Sequence, residues 1–185
     1  MINLITIARF AKKKKGYDLI PNVCNIIHNK IDFKWTIIGR GTTEILKFDY
    51  VKNNKEKFNI VDEIKNNTDL YFPSKQLIEI LKKNDLYVNL SRIESFGVTI
   101  IEAMASGLPV VSFDTKGVNE LIINKKNGFL IPENNFIKFT NEIINFDKNK
   151  NYLDQKSFNN DYLKKFDLEN EANNIIKIYK QVHYS

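Results

Sequence analysis

The sequence predicts an α/β domain, doubly wound around a mostly parallel sheet of about six strands, with one further helix closing the chain. Two observations carry this expectation. Six short runs, mostly apolar on both faces, alternate with segments of helical spacing, as parallel strands covered on two sides do. The residues just after those runs are rich in glycine, cations and acids, and open parallel sheets bind ligands beyond the carboxyl ends of their strands.

In chain order, strands are expected at Ile2–Ala8, Lys34–Ile38, Phe58–Val61, Leu86–Leu90, Val110–Phe113 and Phe129–Ile131. Cys24 falls in a helical apolar stretch and reads as buried and inert. Ser74 is placed to cap a helix with apolar positions Leu77, Ile78, Ile80 and Leu81. A helix from Gly97 to Ala105 should end near Gly107-Leu108-Pro109. From Leu168 the apolar positions Ala172, Ile175, Ile176, Tyr179 and Val182 keep helical spacing, with Asp167 as cap. The "NKKNG" and "DKNKN" segments read as polar turns. Trp35 and Met104 read as core, and Tyr71 and Phe72 as packing above the sheet rather than stacking on a base. His28 and His183 have no acidic or nucleophilic companion and carry no catalytic expectation.

At 185 residues, 43% hydrophobic and 27% charged, the chain suits one core with an appendage. The division falls at residues 1–165 for the body and 166–185 for the last helix. A single cysteine excludes an internal disulfide and fits a reducing compartment. Nothing resembles a signal peptide, and no apolar run approaches the roughly 20 residues that span a bilayer. The expected location is the cytoplasm, with peripheral attachment at the inner face of the membrane left open. A net charge of +6 invites nucleic acid. The excess is mostly lysine in a chain rich in Asn and Ile, and acids share the expected rim, so no nucleic-acid partner is expected.

The strand ends lead in turn to Arg9, Lys15 and Gly16, then Gly39-Arg40-Gly41, Asp62-Glu63, Ser91-Arg92-Ile93-Glu94 and Asp114-Thr115-Lys116-Gly117. Fixed cations, bare backbone and acids on one rim suit a ligand with phosphates and hydroxyls. Gly97 places helix amides at the sheet edge, where a phosphate is favoured. Glu94 and Glu102 lie at most roughly 12 Å apart along the helix axis at 1.5 Å per residue. That is about the reach of a nucleotide-sugar, whose vicinal hydroxyls suit carboxylate acceptors.

The segments "ARFAKKKKGYDLI", "WTIIGRG", "NDLYVNLSRIESFGVTIIEAMASGLPVVSFDTKGVNELI" and "NGFLI" resemble the C-terminal, donor-binding domain of family 4 glycosyltransferases, also called group 1. The resemblance runs over nearly the whole chain. Its most specific part is the pair of glutamates eight positions apart, with Phe-Gly after the first and Ala-Met-Ala-x-Gly-x-Pro after the second. It implies a Rossmann-like half of a GT-B fold. It implies transfer of a sugar from a UDP- or GDP-sugar to a glycan or lipid-linked acceptor, as in lipopolysaccharide or capsule biosynthesis. Retention of configuration is implied as well, with no cofactor and no metal. By the family's pattern Arg9 and Lys15 hold the diphosphate, with Lys14 as the neighbouring alternative, and Glu94 meets the transferred sugar. Glu102 meets the ribose, the amides of Phe96, Gly97 and Val98 approach phosphate and sugar, and Gly39 and Gly41 leave room beneath the nucleoside near Arg40. Ala8 departs from the glycine that commonly precedes the arginine.

The GT-B fold has two such domains, so the chain is expected to be a donor-binding half, with a separate chain supplying the N-terminal acceptor domain. Two other readings remain open at this point: a non-catalytic remnant or interaction subunit of a split or truncated transferase, and a nucleotide-sugar isomerase of the same architecture.

Overall fold

The computed structural model describes residues 1–64, 74–149 and 162–167, together with 169, 173 and 175–177. Its described residues form a six-stranded sheet in the order β3-β2-β1-β4-β5-β6, every pair parallel. The strands are β1 (Ile2–Ile7), β2 (Phe33–Ile38), β3 (Phe58–Val61), β4 (Leu86–Asn89), β5 (Val110–Phe113) and β6 (Gly128–Ile131). Each lies within one residue of its expected bounds. The chain winds outward from β1 to β3 and then returns to place β4 on the other side of β1. The two halves of the sheet therefore diverge between β1 and β4, the switch point where open α/β sheets bind ligands.

Side chains alternate along each strand with period two, and the two faces bury separate cores. Leu4, Trp35, Val88, Val111 and Phe129 pack under α1 (Ile20–Ile27) and α5 (Phe136–Lys148). Ile5, Ile38, Tyr87 and Val110 pack under α3 (Lys75–Lys82) and α4 (Val98–Ala105). A short helix, α2 (Asp49–Asn53), buries Val51 against the first of these cores. Trp35, Met104 and Cys24 are buried as expected. The Trp35 indole donates to the Thr6 hydroxyl at 3.1 Å, and that hydroxyl donates to the Val88 carbonyl at 2.6 Å. A polar atom that would otherwise be costly inside the core is thereby satisfied.

The expected side-chain cap of α3 is present. Ser74 accepts from the Leu77 amide at 3.2 Å to open α3. The α5 helix goes beyond the expected elements. Its signals are Asn135, which accepts from the Lys138 amide at 3.0 Å, and the i, i+4 pair Phe139 and Ile143. The "NKKNG" turn also carries more than polarity. Asn127 is fully buried, donates to the Leu121 carbonyl at 2.9 Å and accepts from the Ile123 amide at 2.8 Å. It thereby fixes the entry into β6.

Near the end of the chain, Leu163 and Phe166 pack on the α3/α4 core, and the Tyr162 hydroxyl donates to the Glu120 carbonyl at 2.6 Å. Beyond them, Glu169, Asn173 and Ile175–Lys177 are helical. Ile175 and Ile176 are 46% and 49% exposed. Tyr71, Phe72, Leu168, Ala172, Tyr179, Val182 and His183 lie outside the described residues. His28 pairs with the Tyr50 hydroxyl at 2.6 Å on the opposite side of the domain from α4.

One contact fixes the loop after β1. Gly16 has φ 69°, and a Cβ there would stand 1.9 Å from the Leu90 carbonyl oxygen, at the end of β4. No flexible side chain can yield to relieve it. Gly16→Ala is expected to destabilise the fold by about 3 kcal/mol, read as a lowered urea midpoint with an unchanged slope.

Candidate nucleotide-sugar site

At the carboxyl edge of β1 and β4 lies a cleft of about 310 Å³, lined by Ile7, Ala8, Arg9, Lys15, Glu94 and Ser95–Thr99. One wall is the start of α4. Gly97 caps that helix in a left-handed conformation, φ 73°, and no side chain bonds the first-turn amides. By contrast α3 and α5 open on side-chain caps. The uncapped amides and the helix dipole give this end of the cleft a partial positive charge. Met104, Ile100 and Ala103 bury the other side of α4 in the core. The helix is held on the sheet by Tyr87, whose hydroxyl contacts the Ile7 carbonyl at 3.1 Å and the Thr99 hydroxyl at 2.8 Å. Burial pushes that phenol well above its usual range, and the nearby Glu102 and Glu94 add to the effect.

The opposite wall is the lysine loop. Lys15 reaches across to Glu94 with Nζ 2.6 Å from Oε2, and the two side chains are only 17% and 13% exposed. Lys14 is exposed and makes no such contact, so Lys15 is the lysine turned into the cleft. Arg9 is exposed and forms no ion pair among the described residues. Its guanidinium remains available to an anion. The Tyr17 hydroxyl donates to the Ala8 carbonyl, beside Arg9, and the Tyr17 ring packs against Phe10 with centroids 5.3 Å apart.

Arg92 ties the loop after β4 to the loop after β1. It forks onto Asp18 at 2.8 and 3.1 Å, donates to the Lys13 carbonyl at 2.7 Å, and its own amide meets the Lys14 carbonyl at 2.9 Å. The bidentate geometry suits a guanidinium. Lys13 also pairs with Asp18 at 3.0 Å. Although partial burial opposes it, these two cations hold the Asp18 carboxyl below its ordinary range. Asp18, Tyr17, Tyr87 and Thr99 all help to build the site, and sequence reasoning passed over them. Their signal is polar character at positions where the flanking elements are apolar.

Glu102 differs from Glu94. It is 6% exposed, and neither oxygen has a hydrogen-bond partner among the described residues. Burial pushes its pKa up to about 7. It lies one helical turn beyond Thr99 on α4 and is not among the residues lining the cleft. Gly39, Arg40 and Gly41 stand at the end of β2, also outside that lining, with Arg40 exposed and the Gly41 amide donating to Asp62 at 2.8 Å. The structure thus brings Arg9, Lys15, Glu94, Phe96, Gly97 and Val98 to one cleft and leaves Glu102 and the β2 glycines at its flanks. The loop at residues 65–73, next to Asp62, lies outside the described residues.

The chain belongs to the family described as Glycosyl transferases group 1, whose sequence model matches residues 2–161. It is 32% identical over 129 residues to the N-acetyl-alpha-D-glucosaminyl L-malate synthase of Bacillus anthracis, a match covering 69% of this chain and 31% of that protein. It is 30% identical over 131 residues to the GtfA subunit of the UDP-N-acetylglucosamine–peptide N-acetylglucosaminyltransferase of Streptococcus pneumoniae, covering 70% of this chain and 24% of that one. The fold superposes on the crystal structure of pneumococcal O-GlcNAc transferase GtfA in complex with UDP and GlcNAc with a TM-score of 0.77 at 21% identity, over 100% of this chain and 36% of that chain. The chain therefore spans about a third or less of these relatives.

The environment of Glu102 sets a stability signature. Its folded pKa is raised from 4.5 to about 7, so the folded state favours the protonated acid. That stabilisation is complete below about pH 4.5 and is lost as pH rises to about 7, leaving an ionised buried carboxylate that costs on the order of 3 kcal/mol. Glu102→Gln is expected to raise the melting temperature above wild type at pH 8, with the difference vanishing below pH 4.5. Melts across that range check it.

Proposed function

We propose that this chain is the donor-binding domain of a glycosyltransferase, taking a nucleoside-diphosphate sugar for transfer to a glycan or lipid-linked acceptor. The observation that carries the reading is the cleft at the sheet's switch point, where Arg9, Lys15 and the uncapped start of α4 face Glu94. Two cations and a helix N-terminus are a diphosphate receptor. Glu94, on the rim of the same cleft, suits the hydroxyls of the transferred sugar. Glu102 suits the ribose: an unpartnered buried carboxylate gains most from hydroxyl donors.

In the reaction this proposal implies, the bond between the anomeric carbon and the diphosphate oxygen breaks. Charge then develops on the departing nucleoside diphosphate. In this reading the α4 amides, Arg9 and a Lys15 released from Glu94 receive that charge, and donors aimed at developing charge are the largest rate contribution in many transfer enzymes. The reading is metal-independent and retaining, as in the resemblance to family 4, and cytoplasmic. No helix among the described residues is long and apolar enough to cross a membrane. The acceptor site and the second half of the cleft are assigned to an N-terminal domain, on this protein or on a partner chain. Support comes from relatives three to four times longer than the match, and from one of them being named as a subunit. The exposed Ile175 and Ile176 give such a domain an apolar surface to meet, and they would equally serve an interaction subunit without catalysis.

Titration calorimetry against UDP, GDP and their sugars tests the assignment. Wild type should bind one pair, with EDTA making no difference. Arg9→Ala and Glu102→Ala should each weaken binding about tenfold, or 1.4 kcal/mol. Equal affinities in wild type and both variants would overturn it.

A further inference from the structure

The contact between Lys15 and Glu94 bears on which ligand the cleft prefers. Both side chains are assigned to the donor, one to its phosphates and one to its sugar, yet in the structure each is engaged with the other at 2.6 Å. Resting on the donor-site reading above, we propose that this ion pair is a latch which a nucleoside diphosphate must open, and that it makes the cleft favour the sugar-bearing nucleotide over the bare one.

The backbone limits how the pair can open. Lys15 sits on a loop held at three points: Gly16 against Leu90, the Lys14 carbonyl on the Arg92 amide, and Arg92 forked onto Asp18. Glu94 sits on a segment pressed from the other side. A Cβ on Gly117 would stand 2.5 Å from the Glu94 carbonyl oxygen and 2.8 Å from that of Ser95. With both backbones pinned, the pair opens by side-chain rotation and not by parting of the loops.

The charges then decide the outcome. A diphosphate entering between Arg9 and the start of α4 draws the Lys15 ammonium away from Glu94. The Glu94 carboxylate, 13% exposed, loses its cation and gains an anionic neighbour. A bare nucleoside diphosphate offers it nothing in return. A sugar on the second phosphate brings hydroxyl donors to the same carboxylate and replaces the lost ammonium. The pair therefore opposes the nucleotide alone and is neutral toward the nucleotide-sugar. Acting after transfer, it would also help expel the nucleoside diphosphate left behind. Glu94 is thus a specificity residue through its competition for Lys15, in addition to any contact with the sugar.

The test uses the full chain and calorimetry with UDP and UDP-N-acetylglucosamine, and with GDP and GDP-mannose as a second pair. Glu94→Gln, close to isosteric but uncharged, should bind the bare diphosphate about tenfold more tightly than wild type, while the added affinity contributed by the sugar falls to within about twofold. Lys15→Met provides the independent arm, because wild-type Lys15 gains a phosphate only by giving up Glu94. It should weaken bare diphosphate binding by less than about threefold where Arg9→Ala weakens it about tenfold. Thermal melts of each variant establish that it is folded. If Glu94→Gln binds the bare diphosphate no better than wild type, or if Lys15→Met loses as much as Arg9→Ala, the latch is wrong and the donor site stands. If wild type binds none of the four nucleotides, the donor site is wrong and the latch goes with it.

Discussion

The candidate site depends on two places where loop backbone presses directly on loop backbone. Gly16 lies against the end of β4, and Gly117 lies against the peptides of Glu94 and Ser95. Each excludes a side chain, and each adopts a conformation that other residues reach only under strain, with φ of 69° and 86°. Between them they set the spacing of the lysine loop from the loop after β4, and so bring Lys15 and Glu94 into contact across the mouth of the cleft. The sheet alone would not do this. Parallel pairing fixes the strands, but the loops at their ends need their own contacts to hold charged groups within hydrogen-bond reach.

Two acids eight positions apart stand in opposite surroundings. Glu94 has the Lys15 ammonium at 2.6 Å. Glu102 is buried, unpartnered among the described residues and raised to near neutrality. A core built for stability alone would place an apolar residue at Glu102, since α4 is otherwise buried through Ile100, Ala103 and Met104. Retaining a carboxylate there is a local cost of the kind found where a group awaits a ligand. Residues that disagree with their surroundings in this way are the best internal pointers to a binding surface.

The strands were legible because their short apolar runs alternate with segments of helical spacing, and most are flanked by Gly, Asp, Asn or Pro. The start of α4 was legible too: Gly97 followed by an aliphatic run requires a helix beginning at the sheet edge. What escaped the sequence are the partners across long separations. Nothing local to Arg92 says that it will meet Asp18, 74 positions away. Nothing local to Lys15 says that it, and not Lys14, turns toward Glu94 across 79 positions. Asn127 looked like an ordinary turn residue because what its side chain meets, the Leu121 carbonyl and Met104 of α4 besides the Ile123 amide, is not marked in the turn itself. The α5 helix was missed for another reason: its apolar positions begin just after a Pro-Glu-Asn-Asn turn, and that punctuation drew attention away from the helical period beyond it.

The fork of Arg92 onto Asp18 joins the loop after β1 to the loop after β4 by side chain as well as by backbone. The two loops therefore form a single mechanical piece bridging the divergence of the sheet. A force applied to either loop is delivered to both walls of the cleft together. The width of the mouth is thereby set by the tie between the loops, as in a jaw cast in one part.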